Sequence, residues 1–438
     1  MPQAIRPWAG TSVVLHDCSL PRAARGHVSG EVDRVDITIA NGIVAAITST
    51  QSPGPGAVDC DGGLVLPALV DVHTHLDKAQ IATRTANPDG SFAGALGAVA
   101  ADRAAHWTAA DLRRRMDFAL RSAYAHGTAA IRTHLDSDPA QRDISWTTFE
   151  AVRQDWLGRL QVQAVALIGP DQMCDAAFVR DTARWAARFG GVLGGAMGRH
   201  DGAKAAMANM VEAAAEFDLA LDLHLDETLD PAAGTLRALA EVVLERGHQG
   251  VVQAGHCCSL AAQDSAEAHG TIDVVVAAGI SIVTLPMCNL YLQDRQAAQQ
   301  PRTPRLRGVT LVKELKAAGA RVSAASDNTR DPFFAYGDMD MLEVFRELTR
   351  ICQIDHPAQD AWDWLRSISA QPAAVAGFAH TGLVEVGLPA DVIVLRARSW
   401  GELQARSPYE RTVVRGGAAI EASLPDYREL DDLAGVLR

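Results

Sequence analysis

The chain has 438 residues, 48% of them hydrophobic and 21% charged, with a formal net charge of −13. That acidity excludes a nucleic-acid binder, because no basic field is available to meet phosphates. No uninterrupted apolar run is long enough to span a bilayer, which argues against a membrane protein.

The start at Met1-Pro2-Gln3 lacks a signal-peptide pattern, and the seven cysteines are odd in number and irregularly spaced. Reduced thiols and a cytoplasmic location are therefore expected.

In chain order, the first 66 residues show strand-like runs, Thr11 to His16, Val35 to Ile39 and Ile43 to Ile47. Asn41-Gly42 and Asp61-Gly62 break them, and no helix is evident. From residue 67 the pattern changes. Eight short apolar runs read as strands: Ala68 to His75, Ala129 to Leu135, Gln161 to Ile168, Gly191 to Ala196, Ala220 to Leu225, Val251 to His256, Ser281 to Leu285 and Arg321 to Asp327. Most are nearly continuous rather than alternating, as parallel strands covered on both faces require.

Helical patterns lie between them. Thr108 to His126 opens on a capping Thr and Asp111, keeps Leu112, Met116, Ala119 and Leu120 on one face, and stops at Gly127. Asp175 to Arg188, Ala203 to Phe217, Ala233 to Arg246 and Val309 to Ala318 look similar. Repeated alternation of strand and helix predicts a (β/α)8 barrel. An open doubly wound sheet is disfavoured, because no Gly-x-Gly-x-x-Gly follows the first strand. Beyond about residue 382, Asp391 to Arg396, Arg411 to Arg415 and Ala418 to Glu421 are again strand-like. The expected fold is α/β: a TIM-like barrel over 67–382 and a small β-sandwich assembled from 1–66 and 383–438.

The first barrel strand ends in Val70-Asp71-Val72-His73-Thr74-His75-Leu76-Asp77. Strand side chains alternate faces, so His73 and His75 point the same way and offer two imidazoles to one point. Carboxyl ends of barrel strands form active sites. At those ends stand also His224 on the fifth strand, His256 on the sixth and Asp327 on the eighth. Three imidazoles and a carboxylate suit Zn²⁺ or Fe²⁺ with room for water. Taken singly, each His could equally be a satisfied core residue. His134 ends the second strand and reads as a residue behind the ligands or lining the pocket. Glu227, three residues beyond His224, is placed to take a proton from a metal-activated water and hand it to a substrate nitrogen; the competing reading is a solvated loop glutamate. Cys257-Cys258 is a weak metal candidate, since adjacent strand residues face opposite ways.

Longer stretches carry a resemblance. Pro67 to Lys78, Arg132-Thr133-His134-Leu135-Asp136, His224-Leu225-Asp226-Glu227, Gly255-His256, Asn289-Leu290-Tyr291-Leu292-Gln293, Ser326 to Pro332 and Gly387 to Leu395 together resemble the amidohydrolase superfamily, in its cytosine-deaminase-like branch. The resemblance implies that His73, His75, His224 and Asp327 bind one divalent ion, Zn or Fe. It also implies that Glu227, His256 and Asp327 run the proton transfers. No lysine falls on the fourth strand, where binuclear relatives carry a bridging one, so a mononuclear site is expected. Lys78 lies past the strand end and is not read as a bridge. The implied activity is hydrolytic deamination of a small aminated heterocycle, cytosine-like or related, with release of ammonia or an amine.

Two departures bear on the substrate. Asn328 stands where cytosine deaminases similar to this chain have a second aspartate. Their ring-pairing glutamine maps near Gly169, with Gln172 a few residues away. An Asn after the metal aspartate is similar to N-isopropylammelide amidohydrolases, although those tend to have Asp at Glu227. An aminotriazine or cyclic amide hydrolase is thus the alternative, and a non-catalytic assembly or binding protein on the same barrel a distant third. Asn328, Phe333 and His134 are the expected substrate-pocket residues, Phe333 either packing on a planar ring or anchoring the Pro332 turn. The only partner implied is the small heterocycle, and a homo-oligomer is left open.

Overall fold

Branched apolar residues in short runs, bounded by helix caps and glycines, set the architecture seen in a computed structural model. It describes residues 12–27, 31–295, 302–357, 360–407, 410–421 and 423–433. Thr11, the first residue of a predicted strand, and the outer ends of both flanking segments lie outside the described residues.

The N-terminal strands β1 (Ser12–Pro21), β2 (Val32–Ala40), β3 (Ile43–Ser49) and β4 (Val58–Asp59) form one sheet in the order β3-β2-β1-β4. β5 (Val65–Pro67) leads into the barrel strands β6 (Leu69–Thr74), β7 (Thr128–Asp136), β8 (Gln161–Leu167), β9 (Val192–Met197), β10 (Leu221–Leu225), β11 (Val252–His256), β12 (Ser281–Thr284) and β13 (Val322–Ala324). These eight are parallel neighbours in sequence order. A bridge between Thr74 and Asp327 joins the last strand's end to the first and closes the ring. Across that seam Val70, Val72, Ala130, Val283, Leu285 and Ala325 pack with Ala373, Ala376 and Phe378 from the helix Ala370–Ala376 and its end.

After the barrel, β14 (Val392–Leu395), β15 (Arg411–Arg415) and β16 (Ala418–Ala419) form a second antiparallel sheet with β5, in the order β16-β15-β14-β5. Both chain ends therefore meet, as expected: Val392 pairs with Pro67, Ile393 with Leu66 and Val394 with Val65. The fit against the barrel is close. Gly127, in the left-handed region at φ 94, caps the helix Ala109–His126, and a Cβ there would come within 2.5 Å of the Ile393 side chain.

Two expectations are corrected. The regular eighth strand is shorter than Arg321 to Asp327, because the Ser326 amide bonds the Asp71 carboxylate and Asp327 pairs again only at the single bridge to Thr74. Helices beyond the predicted set are present, among them Phe92–His106, Pro139–Asp155, Ser265–Ala277 and Met341–Cys352. No helix among the described residues is long and apolar enough to cross a membrane.

Candidate active site

The alternation of β6 puts Asp71, His73 and His75 on one side of the strand. The Asp71 carboxylate accepts the Ser326 amide at 3.1 Å and the Ser326 hydroxyl. The next residue is fastened as well: the Asp327 amide donates to the His73 carbonyl at 2.9 Å, and the Thr74 hydroxyl donates to the Asp327 carbonyl at 2.9 Å. Asp327 sits in the left-handed region, φ 63. The end of β6 thus holds the Asp327 backbone on both sides of its Cα.

Three imidazoles gather at this end of the strand, two of them against the Asp327 carboxylate. His224 Nε2 lies 3.0 Å from His73 Nε2 and 3.1 Å from His75 Nε2. Asp327 Oδ1 is 3.3 Å from His75 Nε2 and 3.6 Å from His73 Nε2. Tetrahedral bonds of 2.0–2.1 Å would hold such donor atoms roughly 3.3 Å apart. Both Asp327 oxygens are buried without a hydrogen-bond partner, an arrangement that costs several kcal/mol per charge unless a cation compensates it. Burial holds all three imidazoles well below their usual pKa, hence in the neutral form a metal requires. Burial also pushes the Asp327 carboxyl up to about 7. The donor set fits a divalent cation. β11 must approach this point bare: a Cβ on Gly255 would fall 2.8 Å from His73 Cε1.

Glu227 follows β10 where the chain turns into the mouth. Its Oε1 lies 3.3 Å from Asn289 Nδ2 and 3.3 Å from His256 Nδ1, while Asn289 Nδ2 and His256 Nδ1 are 3.0 Å apart. Gln293 Nε2 donates to the Glu227 carbonyl at 3.2 Å, so the helix Pro286–Leu292 and its cap grip this loop twice. Burial, then the charge of Asp327, holds the Glu227 carboxyl well above its ordinary range. Burial lowers His256 to about 3. Its Nε2 is unpartnered and groups with His73 and Asp327. The sequence-predicted set therefore falls in one place. Asn289, and Cys288 grouped with Glu227 and Asp327, are additions; Asn289 stood in a quoted motif without a role.

The other expected residues divide. His134 is fully buried, its ring 4.1 Å from that of His73 and 4.4 Å from that of His224, with neither nitrogen hydrogen-bonded. Behind it lies Asp222, 3.8 Å away and held by Arg132 at 2.9 Å and Gln253 at 2.6 Å. Asn328 donates from Nδ2 to Asp331 at 2.6 Å, leaving Oδ1 beside the Cys288 thiol at 3.8 Å. Phe333 is 8% exposed, its amide bound to Asp331 and its ring edge-on to Phe92 at 5.5 Å. Gln172 is held at both ends: its amide oxygen accepts from Gly169 N in the local turn, and its nitrogen donates to Asp138 at the start of the helix Pro139–Asp155. Lys78 pairs with Asp136 at 2.8 Å and meets His75 at Nδ1, on the far side of the ring from Nε2. Cys257 and Cys258 are buried and free, like Cys288.

Comparison with known proteins agrees with this geometry. A model of the amidohydrolase family matches residues 56–146 and 120–418. The chain is 50% identical, over 92% of its length and 91% of the relative's, to a pterin deaminase of Rhizobium rhizogenes (strain K84). It is 24% identical, over 78% of its length and 82% of the relative's, to N-isopropylammelide isopropyl amidohydrolase of Pseudomonas sp. (strain ADP). Among solved structures, 5-methylcytosine deaminase from Klebsiella pneumoniae superposes with a TM-score of 0.80 at 24% identity, covering 93% of this chain and 97% of that one. With the family matched over most of its length, the chain belongs to the amidohydrolase family.

Proposed function

We propose that the ring this enzyme acts on is a pterin, deaminated at the carbon bearing its exocyclic amine. The chain is a hydrolytic deaminase that cleaves a C–N bond of a small heterocycle with a divalent metal. The observation that carries the pterin assignment is the 50% identity to a pterin deaminase over nearly the whole chain. Asn328 is consistent with it. With its nitrogen held by Asp331, its amide oxygen is left to accept from a ring N–H.

In this reading His73, His75, His224 and Asp327 hold the ion, which when bound supplies the Lewis acidity that brings water toward ionisation at neutral pH. Glu227 takes a proton from the attacking water and returns it to the ring nitrogen beside the reacting carbon. Asn289 holds Glu227 and His256 in register for that exchange. His256 Nε2 and the Asp327 carboxylate orient the nucleophile; the second proton of the added water passes from the adduct hydroxyl to the exocyclic nitrogen, and the C–N bond breaks to release ammonia as the carbonyl forms. His134 backs the ligand rings, and Phe333 closes the wall beside Phe92.

The test is a panel. Metal-loaded enzyme is offered pterin, cytosine, an N-alkylaminotriazine and creatinine, and ammonia or amine release is measured. Pterin should have the highest kcat/KM; a higher value for the pyrimidine or triazine rejects the assignment.

A further inference from the structure

Three loops meet over the mouth, one after each of β6, β12 and β13. Together they present a feature that deamination itself does not require. Phe334, Tyr291 and Tyr336 form an edge-to-face cluster, with ring centroids 5.3 to 5.9 Å apart. Phe92 stands against Phe333 nearby. Two of these rings are open to solvent, Tyr336 at 64% and Phe92 at 38%. Over the Tyr291 face, 4.6 Å from its centroid, lies the Arg295 guanidinium.

Arg295 is exposed, and among the described residues no carboxylate is paired with it. The adjacent Asp294 is already engaged by Arg302 and by the amides of Arg305 and Leu306. The guanidinium reaches over the first loop only because that loop has no side chain there. Gly90 has φ 79, and a Cβ on it would sit 2.7 Å from Arg295 Nε. The first loop is itself tied to the third, since Asn87 donates to the Pro332 carbonyl at 3.1 Å. The chain that carries Tyr291 and Arg295 is the one whose Asn289 touches Glu227. The reaction centre and the arginine therefore belong to one continuous wall.

We propose that this rim is a subsite for an acidic substituent on the ring of the substrate remote from the leaving amine, with Arg295 binding the acid and the aromatic cluster packing against the linking atoms. The proposal rests on the pterin reading. In a pterin the amine-bearing carbon and the pyrazine ring lie at opposite ends of a rigid bicycle, so a group on the pyrazine ring points outward when the amine points at the metal. On a protein of net charge −13, an arginine without an acidic partner at the mouth is a local attraction for an anion. The Tyr291 ring beneath it restrains the guanidinium at the rim.

The experiment compares pterin-6-carboxylate with 6-hydroxymethylpterin, by kcat/KM and by equilibrium binding followed through ligand fluorescence. Wild type should favour the acid about tenfold, the size of one charge-assisted hydrogen-bonded contact, and the preference should shrink with added salt. In Arg295→Gln the acid-to-neutral ratio should fall toward one, and in Arg295→Lys it should be partly kept. A ratio near one in wild type overturns the subsite, as does a variant that weakens both ligands equally. Failure of wild type to turn over either pterin rejects the pterin reading instead. The same ratio, measured on carboxylate and hydroxymethyl derivatives of whichever panel ring is active, then decides the role of Arg295.

Discussion

Two buried polar clusters flank the first barrel strand, and they are finished differently. Below the helix Phe92–His106, Arg84 bonds Asp102 at 2.8 and 2.9 Å and Asp111 at 2.5 and 3.1 Å. Thr85 and Trp107 each donate to Asp102 at 2.8 Å. Arg115 joins Asp111 and spends its remaining donor on the carbonyls of Asp77 and Ala79. A few residues away, Asp327, His73 and His134 keep buried donor or acceptor atoms with no partner at all. A cluster that satisfies itself serves the fold, whereas one that leaves buried atoms unsatisfied is built around something it must bind.

That contrast can be broken most severely at His224. His224→Ala should strip the metal and reduce turnover to background while the far-UV circular dichroism is kept, because the ligand lies at the barrel mouth; loss of fold with the metal would mean that the two clusters are not independent. Next, Glu227→Gln should lower kcat by about 10²–10⁴-fold with metal content intact. A variant retaining more than about a tenth of wild-type kcat would remove Glu227 from the proton path, and one that lost its metal would make Glu227 a ligand.

The other cluster predicts the reverse pattern. Arg84→Ala removes the arginine bonded to Asp102 and one of the two bonded to Asp111, and should destabilise by about 3–5 kcal/mol, seen as a lower urea midpoint, with metal stoichiometry unchanged. A smaller effect is expected from pH. Burial alone would raise Asp102 and Asp111, but Arg84 together with Thr85 and Trp107 at Asp102, and with Arg115 at Asp111, outweighs it and holds both below the ordinary carboxylate value. Their contribution is therefore fully present above the unfolded value of about 3.9 and is lost as pH falls through the lower folded value. Arg84→Ala should flatten this acid limb of the stability profile; an unchanged limb would assign it to other groups.

Much of this was legible from the sequence. The barrel strands announce themselves as continuous apolar runs, and the candidate ligand residues stand at their carboxyl ends, the face of a barrel where active sites gather. What could not be read depends on distance in the chain. Asn289 acts on Glu227 across 62 positions, and nothing local marks an asparagine in a helix as the partner of a glutamate. The end of β13 was overestimated because Ser326 and Asp327 follow an apolar run, yet the Ser326 amide turns to the Asp71 carboxylate and Asp327 returns to β6 only through a single bridge. The helix Phe92–His106 escaped notice because Ala and Gly dominate it and give no clear stripe. Its cap, Ser91 accepting from Gly94, was the signal available.

The seam between the first and last barrel strands also sets an order of events. Thr74 and Asp327 are 253 positions apart, so His73 and His75 leave the ribosome long before the carboxylate that completes their site. At a synthesis rate of about 5–20 residues per second, that interval is roughly 13–50 s. During it the nascent chain offers an incomplete set of donors, open to whichever ion it meets. The candidate donor set is then gathered only when the ring closes, at the seam where the Ser326 amide meets the Asp71 carboxylate.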